Sequence, residues 1–527
     1  MKPFISSLII LIAMTTTASA KTFVYCSEGS PVGFNPQMTT DGTSNNAAAH
    51  TIYNRLVDFV PGTTDLMPSL AERYTVSSDQ LTYDFYLRPN VQFHTTSYFK
   101  PTRPLNSDDV LFSFERMKNA THPFHKVNGG SYEYFVGMNM GELIASMTKV
   151  SDLHIRIQLT KPEAPFLANM AMSFMSILSK EYGDQLIKNK KMEQIDLEPV
   201  GTGPFAFRRY RRDAQIRFER HPQYWAGITP IENLVIAITP EASVRFQKLR
   251  TGECHVMIEP APSDLEAIKK EKDLTLLEAP GFNIGYLAMN TQKAPFDNVL
   301  VRQAIHHALN RQSYIDAIYL GHASVAKNPI PPTLWSYHEN LKDLDYNPKR
   351  AKELLTQAGF KDGFEAELWT LPVTRPYNPA GRKMGEMMQA DLAQVGIRLK
   401  LVSYDWPTYL AKSREGEHSM IQLGWTGDNG DPDNFFHTLL GCDGVVGGSN
   451  VAKWCHPEFN DLIMKAKQLN NKEERAKLYK KAQEIFKREA PWVTIAHSKL
   501  FRAKSNKVTG YDIDPLGGDK FSKADLK

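Results

Sequence analysis

The sequence predicts an α/β protein with several domains. The chain has 527 residues, and at about 150 residues per domain this length corresponds to about three domains. Apolar residues make up 42% of the chain and charged residues 23%, an ordinary globular composition that excludes a collagen-like, coiled-coil or largely disordered chain. Strand-like and helix-like segments alternate along the sequence, as expected where helices cover sheets in more than one lobe.

Patterns in the first half of the chain predict both strands and helices. Apolar and polar residues alternate over residues 83–87 after a turn-forming segment, which indicates a half-buried strand. Asn106 or Ser107 is expected to cap a helix, and the acidic residues of its first turn suit the positive end of the helix dipole. Further strands are predicted over residues 234–239 and 284–289.

The second half of the chain carries the clearest helix signals. Asn347 and Pro348 supply a cap and a first-turn proline, and Gly359 supplies a stop signal. A strand is expected over residues 492–496. Apolar residues at helical spacing predict helices over residues 301–309, 348–358, 383–395 and 457–489, the last with a break near residues 470–471.

The charged residues argue against a polyanion as partner. Lys and Arg number 62 against 58 Asp and Glu, so the net charge is +4, and both signs are interspersed from end to end. A nucleic-acid-binding protein usually carries its basic residues in a cluster. No nucleic-acid partner is therefore expected.

The N-terminal segment has the three parts of a secretory signal peptide. Lys2 is positively charged, residues 4–14 form an apolar stretch, and residues 18–20 form a small-residue cleavage site. A membrane anchor is the alternative, but about 11 apolar residues are too few to span a bilayer, which takes about 20. We therefore predict a cleaved signal peptide over residues 1–20 and export to the periplasm of a Gram-negative bacterium.

Four cysteines become informative once export is expected, because disulfides persist in oxidising compartments. Three pairings are open. Cys442 and Cys455 flank a glycine-rich loop, which suggests a local disulfide and would leave Cys26 to pair with Cys254. Such a long-range bridge would place both segments in one domain. Metal binding is the alternative, but no C-x-x-C or H-x-x-x-H spacing supports it, and no metal is expected.

Common catalytic motifs are absent from the sequence. There is no G-x-S-x-G, H-E-x-x-H, G-x-x-x-x-G-K-[ST] or strand-linked G-x-G-x-x-G motif. This argues against a serine hydrolase, a zincin, a P-loop enzyme and a Rossmann dehydrogenase, so we expect neither an enzyme nor a cofactor. The adjacent His306 and His307 would point about 100° apart on a helix, which favours packing or surface roles over a shared metal ion.

Two loops leave their role open at this point. Residues 428–433 are rich in carboxylates and follow an apolar run that is typical of a buried strand. An EF-hand is excluded because its sixth and twelfth positions would hold Phe436 and Cys442 instead of Gly and Glu, whereas an ordinary turn fits the Asp, Asn, Gly and Pro residues. Arg375 lies in a proline-bounded loop and fits a surface arginine as well as a binding residue.

Five segments of the sequence resemble one known family. They are KTFVYCSEGSPVGFNPQ after the signal peptide, LAERYTVSSDQLTYDFYLRPNVQFH, PVGTGPF, RPYNP and GWTGDNGDPDNFF. In combination they resemble the family-5 solute-binding proteins of peptide and nickel ABC importers, from Lys21 to about Leu516. The resemblance also implies two disulfides, Cys26 with Cys254 and Cys442 with Cys455.

The resemblance implies a three-domain periplasmic binding protein of the venus flytrap type, class II and cluster C, with a hinge and a ligand cleft between its lobes. Domain I is expected to be discontinuous, which agrees with the long-range cysteine pair. The expected segments are 21–53, 203–280 and 500–527 for domain I, 54–202 for domain II and 281–499 for domain III.

The ligand contacts of the family can be carried over to matching positions of this chain. By resemblance, Asp428 receives the α-ammonium of a peptide and Arg375 receives its α-carboxylate. Thr40 and Gly42 resemble the segment that binds the peptide backbone. The weaker matches are expected to line the cleft, and they are Tyr377, Trp406, Trp425 and Gly427. For the three aromatic residues among them, hinge or core packing is the alternative.

The function that the resemblance implies is the capture of dipeptides for an inner-membrane ABC permease. A monomer is expected, and a chemoreceptor is a further candidate partner. Relatives with the same fold accept haem, 5-aminolevulinate, glutathione, or longer and antimicrobial peptides, so these cargoes are the alternatives.

Elementary electrostatics fits a dipeptide ligand. A dipeptide is a zwitterion, and enclosing its two charges is costly unless each meets an opposite charge and hydrogen bonds. A fixed anion opposite a fixed cation also measures length, because each added residue moves one terminus by about 3.5 Å. Selectivity for dipeptides is therefore expected.

Overall fold

A computed structural model describes residues 20–527 of the chain. The predicted signal peptide lies outside this range apart from its last residue. Among the described residues, no helix is both long enough and apolar enough to cross a membrane.

The strands of the described residues are short and are spread over the whole range. They number 21. They are β1 (Thr22–Ser27), β2 (Val57–Phe59), β3 (Leu66–Pro68), β4 (Ala71–Val76), β5 (Thr82–Leu87), β6 (Ile144–Ser151), β7 (His154–Leu159), β8 (Phe205–Arg211), β9 (Gln215–Arg220), β10 (Asn233–Ile238), β11 (Val256–Ile258), β12 (Leu274–Ala279), β13 (Asn283–Met289), β14 (Ala323–Val325), β15 (Phe364–Trp369), β16 (Ile397–Val402), β17 (Met420–Thr426), β18 (Trp492–Ser498), β19 (Leu500–Ser505), β20 (Val508–Thr509) and β21 (Asp525–Leu526).

Helices alternate with these strands, and the longest ones lie in the second half of the described range. They are α1 (Gly42–Ser44), α2 (Ser107–Lys118), α3 (Glu133–Gly137), α4 (Met140–Leu143), α5 (Phe166–Met170), α6 (Lys180–Lys188), α7 (Gln194–Leu197), α8 (Ala242–Thr251), α9 (Leu265–Lys270), α10 (Val299–Ala308), α11 (Arg311–Tyr314), α12 (Pro348–Gln357), α13 (Gly381–Ala393), α14 (Trp406–Glu415), α15 (Asp433–Leu440), α16 (Pro457–Gln468) and α17 (Lys472–Glu489).

The largest sheet has seven strands in the order β12-β19-β11-β1-β10-β9-β8. β1 is parallel to its two neighbours, β10 and β11, and the remaining pairs are antiparallel. The predicted strand over residues 234–239 is β10. The strands of this sheet come from three stretches of chain that are far apart in sequence, residues 22–27, 205–279 and 500–505.

The second sheet has six strands in the order β14-β18-β13-β17-β15-β16. β15 is parallel to β16 and β17, whereas β13 is antiparallel to β17 and β18. All of β13, and all of β17 except Thr426 at its end, is buried. Burial on both faces explains why these strands are largely apolar, without strict alternation of apolar and polar residues. The carboxylate-rich loop follows the end of β17.

A third sheet is antiparallel and has four strands in the order β4-β5-β7-β6. Its strand β5 has the alternating burial that the sequence predicts for residues 83–87. α2 packs against β6 and β7 of this sheet. The remaining strands form two short two-stranded sheets, β2 with β3 and β20 with β21.

Helix ends follow the predicted signals. Asn106 caps α2 and forms a capping box with Asp109. Asn347 caps α12, since its side chain accepts a hydrogen bond from the N–H of Arg350. α13 begins slightly before its predicted start, and the break between α16 and α17 falls at residues 469–471. Local capping chemistry therefore marks the starts of α2 and α12, whereas α13 has no side-chain cap.

Both disulfides that the resemblance implies are present. Cys26 of β1 is bonded to Cys254, with their Cα atoms 5.9 Å apart, and Cys442 is bonded to Cys455, with their Cα atoms 4.7 Å apart. The first bridge belongs to a small apolar core that also contains Leu249. It joins β1 to the residues just before β11, which is its neighbour in the sheet.

We expect the loss of the Cys26–Cys254 bridge to destabilise the protein more than the loss of the Cys442–Cys455 bridge. The bridges join positions 228 and 13 residues apart, and by chain entropy they contribute about 5 and about 3 kcal/mol. Replacing both cysteines of one bridge by alanine should therefore lower the melting temperature more for the first pair, as measured by differential scanning calorimetry. An equal or smaller effect of that pair would contradict the entropic explanation.

Candidate functional site

A cavity of about 160 Å³ is enclosed by elements of the two large sheets. The seven-stranded sheet contributes residues at or just beyond the ends of β1 and β11 and one residue within β19, and the six-stranded sheet contributes residues of β13 and β17. α3 and the start of α14 add further parts of the wall. The cavity therefore lies where distant parts of the chain meet.

Most of the predicted site residues line this cavity. Gly427 does not, because it packs elsewhere: its N–H donates to the carbonyl of Phe282 (2.7 Å), and a Cβ at this position would collide with the rings of Phe282 and Phe435. Only glycine fits so close to two rings, so its role is packing. Those that line the cavity are Thr40, Gly42, Arg375, Tyr377, Trp406, Trp425 and Asp428.

Asp428 is held at the end of β17. Asn434, near the start of α15, accepts hydrogen bonds from the Asp428 N–H and from Nε1 of Trp425, both at 2.9 Å. The hydrogen bond from the N–H of Gly427 to the carbonyl of Phe282 fixes the chain just before Asp428. A buried strand and one amide side chain therefore determine where the carboxylate lies.

The Asp428 carboxylate accepts hydrogen bonds but has no cationic partner among the described residues. Oη of Tyr134 donates to Oδ2 (2.8 Å), and Nδ2 of Asn434 donates to the same oxygen (3.2 Å). Burial raises the pKa of Asp428 to about 7, although both hydrogen bonds act to lower it. A cation bound here would compensate for the lost hydration of the ionised carboxylate.

Aromatic rings surround this carboxylate. The ring of Tyr134 stacks on Phe174 with centroids 5.3 Å apart and meets the edge of Trp425 at 5.8 Å. Tyr134 belongs to α3, so this contact joins α3 to the loop after β17. Aromatic faces attract cations, and the environment of Asp428 is therefore suited to a positively charged group.

Arg375 lies in a tight turn and not on an open surface. Its backbone N–H and carbonyl are both hydrogen-bonded to Asn378, at 3.2 and 3.0 Å. The carbonyls of the next two residues accept hydrogen bonds from Ser498 (2.7 Å) and Tyr319 (2.6 Å). The side chain of Arg375 is only 7% exposed, so it is not a surface arginine.

A pair of glycines lets this turn pack directly against the six-stranded sheet. Gly285 of β13 faces Gly424 of β17. A Cβ at Gly285 would collide with the carbonyl oxygen of Tyr377, and a Cβ at Gly424 would collide with the Tyr377 ring. Without side chains at these positions, backbone and ring can approach the strands closely. The glycine pair therefore fixes the position of the Arg375 turn relative to β17.

Arg375 forms a buried ion pair with Glu28. Its Nη1 donates to Oε1 of Glu28 at 2.6 Å. Glu28 directly follows β1, so the ion pair joins the seven-stranded sheet to the turn on the six-stranded sheet. Burial alone would lower the pKa of Arg375, but the Glu28 carboxylate raises it above its ordinary value. The guanidinium therefore remains cationic.

Polar groups near Arg375 are left without partners. Nη2 of Arg375 and Nε1 of Trp406 are buried and make no hydrogen bond with the described residues. Both side chains line the cavity, and Cζ of Arg375 lies 4.8 Å from the centroid of the Trp406 ring. Unpaired buried donors are costly, and a carboxylate can accept several hydrogen bonds at once. This end of the cavity therefore suits an anion.

Thr40 and Gly42 lie on the segment that leads into α1. The hydroxyl of Thr40 donates to Oε2 of Glu133 at 3.3 Å. At Gly42 a Cβ would meet nothing within 4 Å, so the backbone is reachable from the cavity. The segment can therefore offer main-chain groups to a ligand.

Three further side chains complete the site, and sequence reasoning missed them: Glu28, Tyr134 and Asn434. Glu28 and Asn434 fall within segments that carry the resemblance, CSEGSPVGF and GWTGDNGDPDNFF, so a signal existed for both. Tyr134 is 294 residues away from Asp428, and no local pattern marks it. Only the fold brings it to the carboxylate.

The cavity contains the Asp428 carboxylate, which has no cationic partner among the described residues, and the Arg375 guanidinium, whose Nη2 has no hydrogen-bond partner among them. It is therefore complementary to a ligand that carries both a positive and a negative group. Within residues 20–527, no group of three or more His, Cys, Asp or Glu side chains is positioned to hold a metal ion.

Fold and cavity together define a solute-binding protein, and comparison with known proteins agrees. The family described as bacterial extracellular solute-binding proteins, family 5 Middle, matches residues 65–446. The chain belongs to this family. Its fold class is the one predicted from the sequence.

The chain is similar to relatives over nearly its whole length. It is 50% identical to the dipeptide-binding protein of Escherichia coli strain K12, covering 98% of this chain and 97% of that protein. It is 47% identical to heme-binding protein A of Haemophilus influenzae, covering 96% and 92%. Its structure matches the dipeptide binding protein from Pseudoalteromonas sp. SM9913 in complex with Met-Leu, with a TM-score of 0.94 and 39% identity, covering 96% and 100%.

We expect Asp428→Asn to raise the melting temperature of the ligand-free protein more at pH 8 than at pH 5. The pKa of Asp428 is raised from 3.8 to about 7 on folding, so this carboxyl lowers stability progressively as the pH rises between these two values. Thermal unfolding of both proteins at both pH values measures the difference. Asp362→Asn, at an exposed position, is the control. A pH-independent effect of Asp428→Asn would show that the carboxyl is well hydrated.

Proposed function

We propose that this chain captures dipeptides and delivers them to an inner-membrane ABC permease. One observation carries the proposal: a single cavity contains Asp428, a carboxylate without a cationic partner, and Arg375, a guanidinium with an unpaired nitrogen. These groups are the complements of the α-ammonium and the α-carboxylate of a peptide. The names of the Escherichia coli and Pseudoalteromonas relatives support the choice of dipeptides.

The chemistry of arginine supports the proposed role at the carboxylate end. A guanidinium presents several donors in one plane, so it can bind two carboxylates side by side, which an ammonium on a flexible chain does less well. Glu28 uses Nη1 of Arg375, and Nη2 remains for the ligand. The unpaired Nε1 of Trp406 is a candidate second donor to the same carboxylate.

The domain division implied by the resemblance is part of the proposal, and the three main sheets support it. The seven-stranded sheet draws its strands only from the proposed domain I, the four-stranded sheet from domain II and the six-stranded sheet from domain III. The proposed boundaries are 21–53, 203–280 and 500–527 for domain I, 54–202 for domain II and 281–499 for domain III.

We propose that domains I and II close on domain III when a ligand binds. Several side-chain contacts at the cavity cross this boundary, among them Glu28 with Arg375, Tyr134 with Asp428, and Glu133 with Arg414. Separation of the lobes would expose these groups to water, whereas closure with a ligand would place a cation beside Asp428 and a carboxylate beside the unpaired Nη2 of Arg375. The closed form would then present a surface that the permease can distinguish from the empty form.

The proposed place of action is the Gram-negative periplasm, after removal of residues 1–20. Two disulfides are consistent with an oxidising compartment. No bond of the ligand is broken in this scheme, so the protein acts as a carrier and not as an enzyme. A monomer suffices for the function, and a chemoreceptor is a further proposed partner.

Haem is the second candidate cargo, because one close relative is named a heme-binding protein. The cavity volume of about 160 Å³ is below the range of about 300–1,000 Å³ for drug-sized ligands. Its unpaired groups also have both signs, whereas the two propionates of haem are both negative. These observations favour a small zwitterion, a class that also includes 5-aminolevulinate. Mass spectrometry of the small molecules released from the purified protein distinguishes these cargoes.

We expect Asp428→Asn to weaken the binding of Ala-Ala by about 2–5 kcal/mol, because the ammonium would be buried without an opposite charge. Isothermal titration calorimetry measures this loss. N-acetyl-Ala-Ala has no ammonium, so its weaker binding should not change in the variant. A similar loss for both ligands would remove Asp428 from the ammonium site. Asp362→Asn again serves as the control.

We expect Arg375→Lys to weaken the binding of Ala-Ala at least tenfold, because lysine cannot hold Glu28 and a ligand carboxylate in one plane. Calorimetry with Ala-Ala and with its C-terminal amide measures the effect, which should be much smaller for the amide. Arg382→Lys is the matched control, since the side chain of Arg382 is 88% exposed. Unchanged affinity in Arg375→Lys would mean that the arginine does not contact the ligand.

A further inference from the structure

The charged side chains around the cavity are not balanced. Both signs are present, but acidic residues outnumber basic ones. The acidic residues are Glu28, Asp41, Glu133, Glu259, Asp428 and Asp514, and the basic residues are Arg375, Arg414, Arg502 and Lys520.

Each of the basic residues already has a carboxylate partner within the protein. His50 also lines the cavity, and burial lowers its pKa to about 3, so it is uncharged at neutral pH. Of the acidic residues in the wall, Asp41 and Asp428 are left without any cationic partner in the described part of the chain. The pairs are Arg375–Glu28 at 2.6 Å, Arg414–Glu133 at 2.6 Å, Arg502–Glu259 at 2.8 Å and Lys520–Asp514 at 3.6 Å.

Asp41 uses only one of its two carboxylate oxygens. Oδ1 caps α1 by accepting hydrogen bonds from the N–H of Ser44 (3.0 Å) and from the hydroxyl of Thr43. Oδ2 is buried and makes no hydrogen bond with the described residues, and the residue as a whole is only 6% exposed. A cap does not require this second oxygen. A buried acceptor without a donor is costly unless a ligand supplies one.

Asp41 lines the same cavity as Asp428 and Arg375. Burial raises the pKa of Tyr134, and the charges of Asp428 and of Asp41 raise it further. At the other end, burial raises the pKa of Tyr377 and Asp41 adds to this effect, while Glu28 and then Asp41 raise the pKa of Arg375 against the effect of burial. The charge of Asp41 therefore acts on both ends.

We propose that Asp41 receives the cationic side chain of a bound dipeptide, so that the protein prefers dipeptides that contain lysine or arginine. This inference rests on the proposed capture of dipeptides in the same cavity. The two ends of such a ligand use Asp428 and Arg375, and its third charge meets the remaining free carboxylate. A neutral dipeptide leaves Oδ2 of Asp41 unpaired, whereas a basic one supplies a charge-assisted hydrogen bond.

Calorimetry with Ala-Lys, Lys-Ala and their norleucine counterparts tests the proposal. Norleucine has the carbon chain of lysine without the ammonium, so each pair of ligands differs by one charge. At least one lysine dipeptide should bind the wild-type protein about tenfold more tightly than its norleucine counterpart. Asp41→Asn keeps a side-chain oxygen for the cap and should abolish this preference without weakening the binding of the norleucine dipeptides.

A second variant covers the case in which Asp41→Asn does not fold, and an exposed aspartate serves as the control. Asp41→Ser also retains a good cap and replaces Asp41→Asn if that variant does not fold. Asp65→Asn, at an exposed position before β3, should keep the lysine preference. Equal binding of lysine and norleucine dipeptides to the wild type, or a preference that survives in Asp41→Asn, overturns the inference. Failure of all of these dipeptides and of Ala-Ala to bind overturns the proposed function itself, and the inference with it.

Discussion

The arrangement of the cavity depends on the cost of burying charge away from water. Most charged side chains in its wall meet this cost by pairing with each other, as Arg414 does with Glu133. Asp428 is different, since it accepts hydrogen bonds only from the neutral donors Tyr134 and Asn434, and burial raises its pKa to about 7. A buried carboxylate without a cationic partner is stabilised most by an added positive charge. The unpaired carboxylates therefore mark the places where a cationic group of a ligand would add most to the binding free energy.

The two proposed end groups of the site are both attached to the six-stranded sheet. Asp428 follows β17 directly, and the Arg375 turn packs on β13 and β17 through the pair Gly285 and Gly424. Their separation is therefore set by packing within this sheet and not by the contacts between the sheets. The other groups in the cavity wall lie outside this sheet: Tyr134 is on α3, Glu28 follows β1 and Asp41 precedes α1.

Local chemistry made much of the fold predictable. The caps at Asn106 and Asn347 depend on a few neighbouring residues, and motifs marked Asp428 and Arg375. Tyr134 could not be found, because its contact with Asp428 spans 294 residues and requires the whole fold. Gly427 was expected in the cleft from the family resemblance, but its contacts with two phenylalanine rings depend on packing that the sequence pattern does not reveal.

Glu28 also affects the release of a ligand. Because Glu28 accepts a hydrogen bond from Nη1 of Arg375, a carboxylate bound as proposed would share the guanidinium and be held less strongly than by a free arginine. If that carboxylate left before the lobes separated, Glu28 would remain as the counter-ion, so the buried guanidinium would not be left unpaired. Release would then carry a smaller electrostatic penalty, which suits a carrier better than a permanent store.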